Sequence, residues 1–129
     1  MIQKKPYILQ VIIASGPEAL GRAVLGFAFA LSAAISGVKV MIILALEGVT
    51  WAKRNIPAAK QSVNGFASVN DYMDMLEDNS AIIRLCSSCA DNKCANDKNE
   101  QNTAETDSYV GLTEVAIQAA RDAVQTVIF

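Results

Sequence analysis

The residues best suited to covalent chemistry are three cysteines, Cys86, Cys89 and Cys94, which fall within nine residues in the run CSSCADNKC. The chain has no histidine. That removes Ser-His-Asp and Cys-His catalysis and every histidine-ligated metal site. A thiol acting without an imidazole remains, and its thiolate is the reacting species. Four uses of the cluster compete. In the first, a thiolate takes up sulfur or enters redox exchange, with Arg84 and Lys93 as nearby cations. Cys89 could then close a disulfide with Cys86 or resolve a persulfide on it. In the second, the Cys-x-x-Cys pair is half of a zinc site, and Asp91, Asp97 or a water would have to complete four ligands. In the third, the motif is that of a thioredoxin-type oxidoreductase. That fold needs antiparallel strands after the motif, and the chain does not read that way. In the fourth, the cysteines are small core residues. This suits Cys86 better than Cys89 or Cys94, which lie among Ser, Asp, Asn and Lys. An exposed thiol in such surroundings is costly to keep without a use.

Other candidates carry less. Ser15, followed by Gly16, could bind an anion through helix N–H groups, or could form an ordinary strand-to-helix turn. Glu47 is a polar site residue or a loop start. Trp51 beside Lys53 and Arg54 could line a partner surface, and Met41, Met73 and Met75 read as core filler. No GxGxxG or Walker motif points to a nucleotide.

Strands and helices alternate in the elements that must position these residues. YILQVII, within residues 5–14, is a β-branched apolar run suited to a strand buried on both faces. Pro17 and Glu18 then suit the first turn of a helix, which the pattern carries to Ser36 and stops at Gly37. Leu20, Val24, Phe27, Leu31 and Ile35 form one stripe, while Leu25 and Phe29 point elsewhere. A helix apolar nearly all round needs cover on more than one side. In so short a chain, the second cover is expected to be another subunit. VKVMIILAL (38–46) reads as a second strand, residues 50–65 as a loop with a short helix, and AIIRLC (81–86) as a third strand. Before it, Ser68 to Asp71 resembles a capping box. Val69, Tyr72, Met73 and Leu76 follow at helical spacing. Residues 90–108 are a polar loop. Leu112, Val115, Ala116, Ala119, Ala120 and Ala123 mark a last helix, and VQTVIF (124–129) a last strand. This alternation predicts an α/β fold with a parallel sheet, helices on its faces and right-handed crossovers. Ligands in such sheets gather beyond the carboxyl ends of the strands, here Ser15-Gly16, Glu47-Gly48 and Cys86-Ser87.

Composition narrows the setting. The chain has 129 residues, 52% of them apolar, and a net charge of −2, so a single domain with a real core is expected over residues 1–129. A slightly acidic chain without a Lys/Arg run argues against nucleic acid as a partner. The opening MIQKKPYILQVIIASG mimics a signal peptide, but Gln10 interrupts its apolar run. Residues 23–38 form 16 residues without a charge, shorter than a bilayer span, so no membrane partner is expected. Three clustered cysteines do not resemble a secreted disulfide framework, and they favour the cytoplasm and reduced thiols.

With these residues in place, the chain resembles the DsrE/DsrF-like sulfur-relay proteins, which include intracellular sulfur-oxidation and tRNA-thiolation carriers. The likeness covers most of the chain. It runs through the opening strand, the Ala-rich helix from Pro17 to Ser36, the Gly37-Val38-Lys39-Val40 turn, the stretch from Tyr72 to Cys86, and the closing Gly111 to Phe129. Its most specific piece is Cys86-Ser87-Ser88-Cys89. The resemblance implies a flavodoxin-like, three-layer α/β fold with a mainly parallel sheet of four to five strands. It also implies a homo-oligomer, trimeric or hexameric. Cys86 becomes the implied carrier of sulfane sulfur as a persulfide, with Cys89 as the second thiol of the CxxC branch. Sulfur donor and acceptor proteins are the implied partners, and no cofactor is required. Where that branch shows a basic residue and glycine, this chain has Lys93-Cys94, and the polar stretch 96–108 is longer than the family pattern. Cys94 is thus a third redox thiol or a neutral substitution. The competing expectation is a non-catalytic binding or assembly subunit, whose cysteines are structural, redox-sensing or metal-binding.

Overall fold

A computed structural model describes residues 9–89, 109–122 and 124–129. Five strands are present: β1 (Leu9–Ile13), β2 (Val40–Leu44), β3 (Ile82–Cys86), β4 (Tyr109–Val110) and β5 (Gln125–Ile128). They form one sheet in the order β4-β3-β2-β1-β5, and every pairing is parallel. Among the described residues, helices α1 (Leu20–Ile35), α2 (Val69–Asp78) and α3 (Leu112–Arg121) lie between them. This is the α/β architecture that the alternation of elements predicts, and it is consistent with a flavodoxin-like fold.

Topology decides which helix covers which face. From β1 to β3 the chain steps across the sheet in one direction, and α1 and α2 pack against each other on one face. The crossover from β4 to β5 runs the opposite way. Right-handed crossovers in opposite directions place their helices on opposite faces. Accordingly Val11, Ile13, Val40, Ile42, Leu44 and Leu85 pack with α1 and α2, whereas Met41, Ile43, Ala45, Cys86 and Val110 pack with Val115 of α3. Strand alternation thus puts Cys86 on the α3 side.

Local chemistry sets the helix ends. The α1 helix stops in a Schellman arrangement, with Gly37 at φ 94 and the N–H groups of Gly37 and Val38 donating to Ala34 O and Ala33 O. The same arrangement closes α2, but Ser80, at φ 69, takes the glycine's place. Ser68 caps α2 as expected, its Oγ accepting from Asp71 N at 3.2 Å. Residues 17–35 are apolar enough to span a membrane by length and composition, at a mean hydropathy of 1.5. Here, however, Ala23, Val24, Phe27, Ala30, Leu31 and Ala34 of this stretch are buried on the sheet.

Three expectations need correction. Ile35, the last residue of α1, leaves the expected stripe and is exposed, while Val24, Phe27 and Leu31 stay buried. Among the described residues of the expected apolar set in α3, only Val115 is buried and Leu112, Ala116 and Ala120 are exposed; Ala123 lies outside the described residues. Val115 and the half-buried Gln118 and Ala119, at i, i+3 and i+4, form the narrow stripe that the helix turns inward. Finally, β4 enters the sheet as a two-residue strand just ahead of α3, where no strand was expected.

Candidate functional site

The carboxyl ends of the parallel strands form a rim. At the β1 and β2 ends, residues Leu46–Ala52 wind as a 3₁₀ helix over the end of β1. Two glycines allow this approach. A Cβ on Gly48 would lie 1.9 Å from Ile13 O, and one on Gly16 would lie 2.6 Å from Glu47 O. Trp51, the largest fully buried side chain, anchors the segment by donating from Nε1 to Ser15 O at 2.8 Å.

This arrangement assigns Ser15 a structural role. Its Oγ donates to Phe129 O at 2.7 Å, tying the end of β1 to the residue that follows β5. The adjoining Gly16 N–H donates to Glu18 Oε2 at 3.1 Å, so an internal carboxylate occupies the place an anion would take. Glu47 lies on the rim with its backbone against Gly16. Leu46, immediately before Glu47, stands at φ 50 with its side chain 62% exposed. Sequence reasoning missed Leu46, because nothing in a leucine signals a left-handed backbone.

The β3 end carries the thiols. Cys86 is the last residue of β3, and the chain turns directly into helical geometry over residues 87–89. Cys86 is 0% exposed, enclosed by Met41, Ile43, Ala45, Val110 and Val115. Cys89 is half-buried and touches the apolar cores of both faces. Both are free thiols. Cys89 packs against the cluster that holds Cys86, three residues on across this turn, whose Ser88 and Cys89 N–H groups favour the Cys86 thiolate. Burial pushes the Cys86 thiol above its ordinary value of 9.0. The two N–H groups pull it down, while the Cys89 side chain and its charge push it up further. Desolvation is the largest of these, so the proton stays on Cys86.

Linkage turns this into a prediction. Unfolded Cys86 ionises near 9.0, whereas folded Cys86 holds its proton to higher pH. Above that point the unfolded state binds fewer protons, so stability from this group falls as pH rises; below it the group contributes no slope. Urea unfolding between about pH 8 and pH 10 should show a decline that is shallower in Cys86→Ala. Identical slopes would contradict the burial argument.

Arg84 shares the Cys86 face by strand alternation rather than pointing away from it. Its Nη1 lies 4.0 Å from Glu114 Oε2 on α3, and both side chains are partly solvated. The cation is thus directed to the helix covering this face. Cys94 and Lys93 lie outside the described residues. Among the described residues, no three His, Cys, Asp or Glu side chains converge as a metal site.

Comparison with known proteins agrees with this architecture. No curated protein matches the sequence. Among solved structures, the crystal structure of the YchN protein from E. coli superposes with a TM-score of 0.68. The match covers 95% of this chain and 99% of that one, at 16% identity, and so speaks to the fold. The pattern of the DsrE/DsrF-like family matches residues 8–127, nearly the whole chain. On that match the protein belongs to the DsrE/DsrF-like family.

Proposed function

We propose that this protein is a sulfur carrier of the sulfurtransferase type, which accepts sulfane sulfur as a cysteine persulfide and passes it to a partner protein. The observation that carries the reading is the pair of free thiols Cys86 and Cys89, which stand at the carboxyl end of β3 and share one packed cluster. The family is associated with sulfur relay. A thiolate attacks the outer sulfur of a donor persulfide, and an acceptor's thiolate later removes that sulfur. The backbone N–H groups stabilise negative charge on sulfur as it develops. This chemistry asks for no cofactor. It suits the cytoplasm, where thiols stay reduced.

The test is cyanolysis, which counts sulfane sulfur as thiocyanate after incubation with polysulfide. The double variant Cys86→Ala/Cys89→Ala should load about tenfold less than wild type or lower. Equal loading would overturn the assignment.

A second reading, an assembly subunit, is favoured by the apolar side chains left uncovered. Leu25 and Phe29 project from α1, where Phe29 meets Phe129 at a ring separation of 5.4 Å, and Ile128 on the β5 edge is 68% exposed. Leu25 and Phe29 lie on the α1 side, whereas Ile128 alternates to the opposite face of the edge strand; exposed apolar side chains at this edge suit contact with another subunit. The two readings join in a homo-oligomeric carrier, trimeric or hexameric. A light-scattering mass equal to one chain would exclude assembly.

A further inference from the structure

The two thiols are unequal, and their inequality divides the work. Cys86 has no surface exposed to solvent, whereas Cys89 is half-buried three residues later. Sulfur transfer is a displacement in which nucleophile, attacked sulfur and leaving group approach a line. A donor protein or polysulfide cannot bring its sulfur onto such a line with Cys86 through Met41, Ile43, Ala45, Val110 and Val115. It can do so at Cys89. Cys86, in turn, lies inside the cluster against which Cys89 packs.

Building on the sulfur-carrier reading above, we propose that Cys89 is the thiol that receives sulfane sulfur, and that Cys86 is an internal thiol that discharges it as hydrosulfide. In the first step the Cys89 thiolate attacks the outer sulfur of a persulfide R–S–SH. The Cys89–sulfur bond forms, the R–S bond breaks, and R–S⁻ leaves. In the second step the ionised Cys89 persulfide takes the Cys86 proton on its outer sulfur, and the Cys86 sulfur attacks the inner sulfur, Cys89 Sγ. The Cys86–Cys89 disulfide forms, the outer sulfur–sulfur bond breaks, and HS⁻ leaves. The two thiols together give up two electrons and the sulfane sulfur takes them, so no external oxidant enters. An external dithiol then resets the pair.

Burial explains why the second step waits. The raised Cys86 thiol keeps its proton, and so does not compete for the donor. Once the persulfide is installed beside it, proximity offsets the small thiolate fraction. A transfer partner that docks before discharge takes the sulfur from Cys89; without one, the sulfur leaves as hydrosulfide. The site would therefore act both as a carrier and as a dithiol reductase of sulfane sulfur.

The experiment uses the full chain carrying Cys94→Ser, so that the third thiol cannot substitute, with sodium tetrasulfide as probe. Intact mass and released sulfide are followed together, and wild type is run alongside. With both thiols present, about one sulfide should be released per chain, leaving a mass about 2 Da lower, that of a disulfide. Adding Cys86→Ser should trap a gain of about 32 Da on Cys89 and lower sulfide release about tenfold. Cys86→Ala repeats this without placing a hydroxyl in the core. Adding Cys89→Ser instead should slow loading about tenfold. Loading that persists on Cys86 in the Cys89→Ser protein would overturn the division of labour while leaving the carrier reading intact. Unchanged sulfide release in both Cys86 variants would do the same. No loading on any protein, wild type included, would overturn both.

Discussion

Gly48→Ala should destabilise the fold by about 3 kcal/mol or more and lower Tm by roughly 10 °C or more. The added methyl would meet backbone: Ile13 O at 1.9 Å and Ile13 C at 2.9 Å. Neither atom can rotate away. Ile13 O also accepts from Ala45 N at 3.0 Å, so retreat of β1 would break the bond that aligns the β1 and β2 ends. The alternative is retreat of the Leu46–Ala52 segment, which would lose the Gly48 N to Ala45 O bond of 2.7 Å and pull on Trp51. Overpacking typically costs 1–3 kcal/mol where side chains can adjust, and this site lies at or beyond the upper end of that range. Thermal unfolding followed by circular dichroism reads the shift. A Tm within a few degrees of wild type would show that the segment does not sit on β1 as described.

Trp51→Ala should cost about 3–5 kcal/mol, a large share of a typical stability. Trp51 is the largest of the fully buried side chains and ties the rim to Ser15 O. Removing it opens a cavity and leaves the Ser15 carbonyl without this donor. Trp51→Phe separates the two effects: it keeps most of the volume and loses only the hydrogen bond, at a cost of about 1–3 kcal/mol. Urea midpoints at constant m-value report both. Equal effects of Ala and Phe would mean that the cavity carries none of the cost.

Much of the layout was legible because local chemistry and tertiary structure agree. Pro17 and Gly37 bracket the first helical stretch as they would in isolation, and Ser68 caps α2 by the bond its sequence context predicts. The end of AIIRLC is the end of β3, so Cys86 falls on the rim. The greater suitability of Cys86 for the core, read from its apolar neighbours, matches its complete burial.

Other features depend on what lies opposite in space. Gln10, read as an interruption in an apolar run, is fully buried. Its Nε2 donates to Thr126 Oγ1 at 3.0 Å and to Val115 O at 3.3 Å, partners more than 100 residues away. Two residues such as Tyr109 and Val110 carry no periodicity, so β4 leaves no strand pattern in the sequence. Gly48 reads as a turn glycine, although its role is to let one backbone approach another. The apolar residues of α3 show that the helix is amphipathic, but not that only Val115 reaches the sheet.

The Cys86–Cys89 pair is expected to take up sulfane sulfur. Peptide-mapped mass spectrometry of wild-type protein after polysulfide treatment, with and without dithiothreitol, tests it most directly. The account predicts a reductant-sensitive change confined to the peptide holding Cys86 and Cys89: a gain of about 32 Da, or the disulfide that follows its discharge. An unmodified peptide whose Cys89 thiol is free to alkylate would contradict it, and would leave an assembly protein that keeps the fold without the relay chemistry.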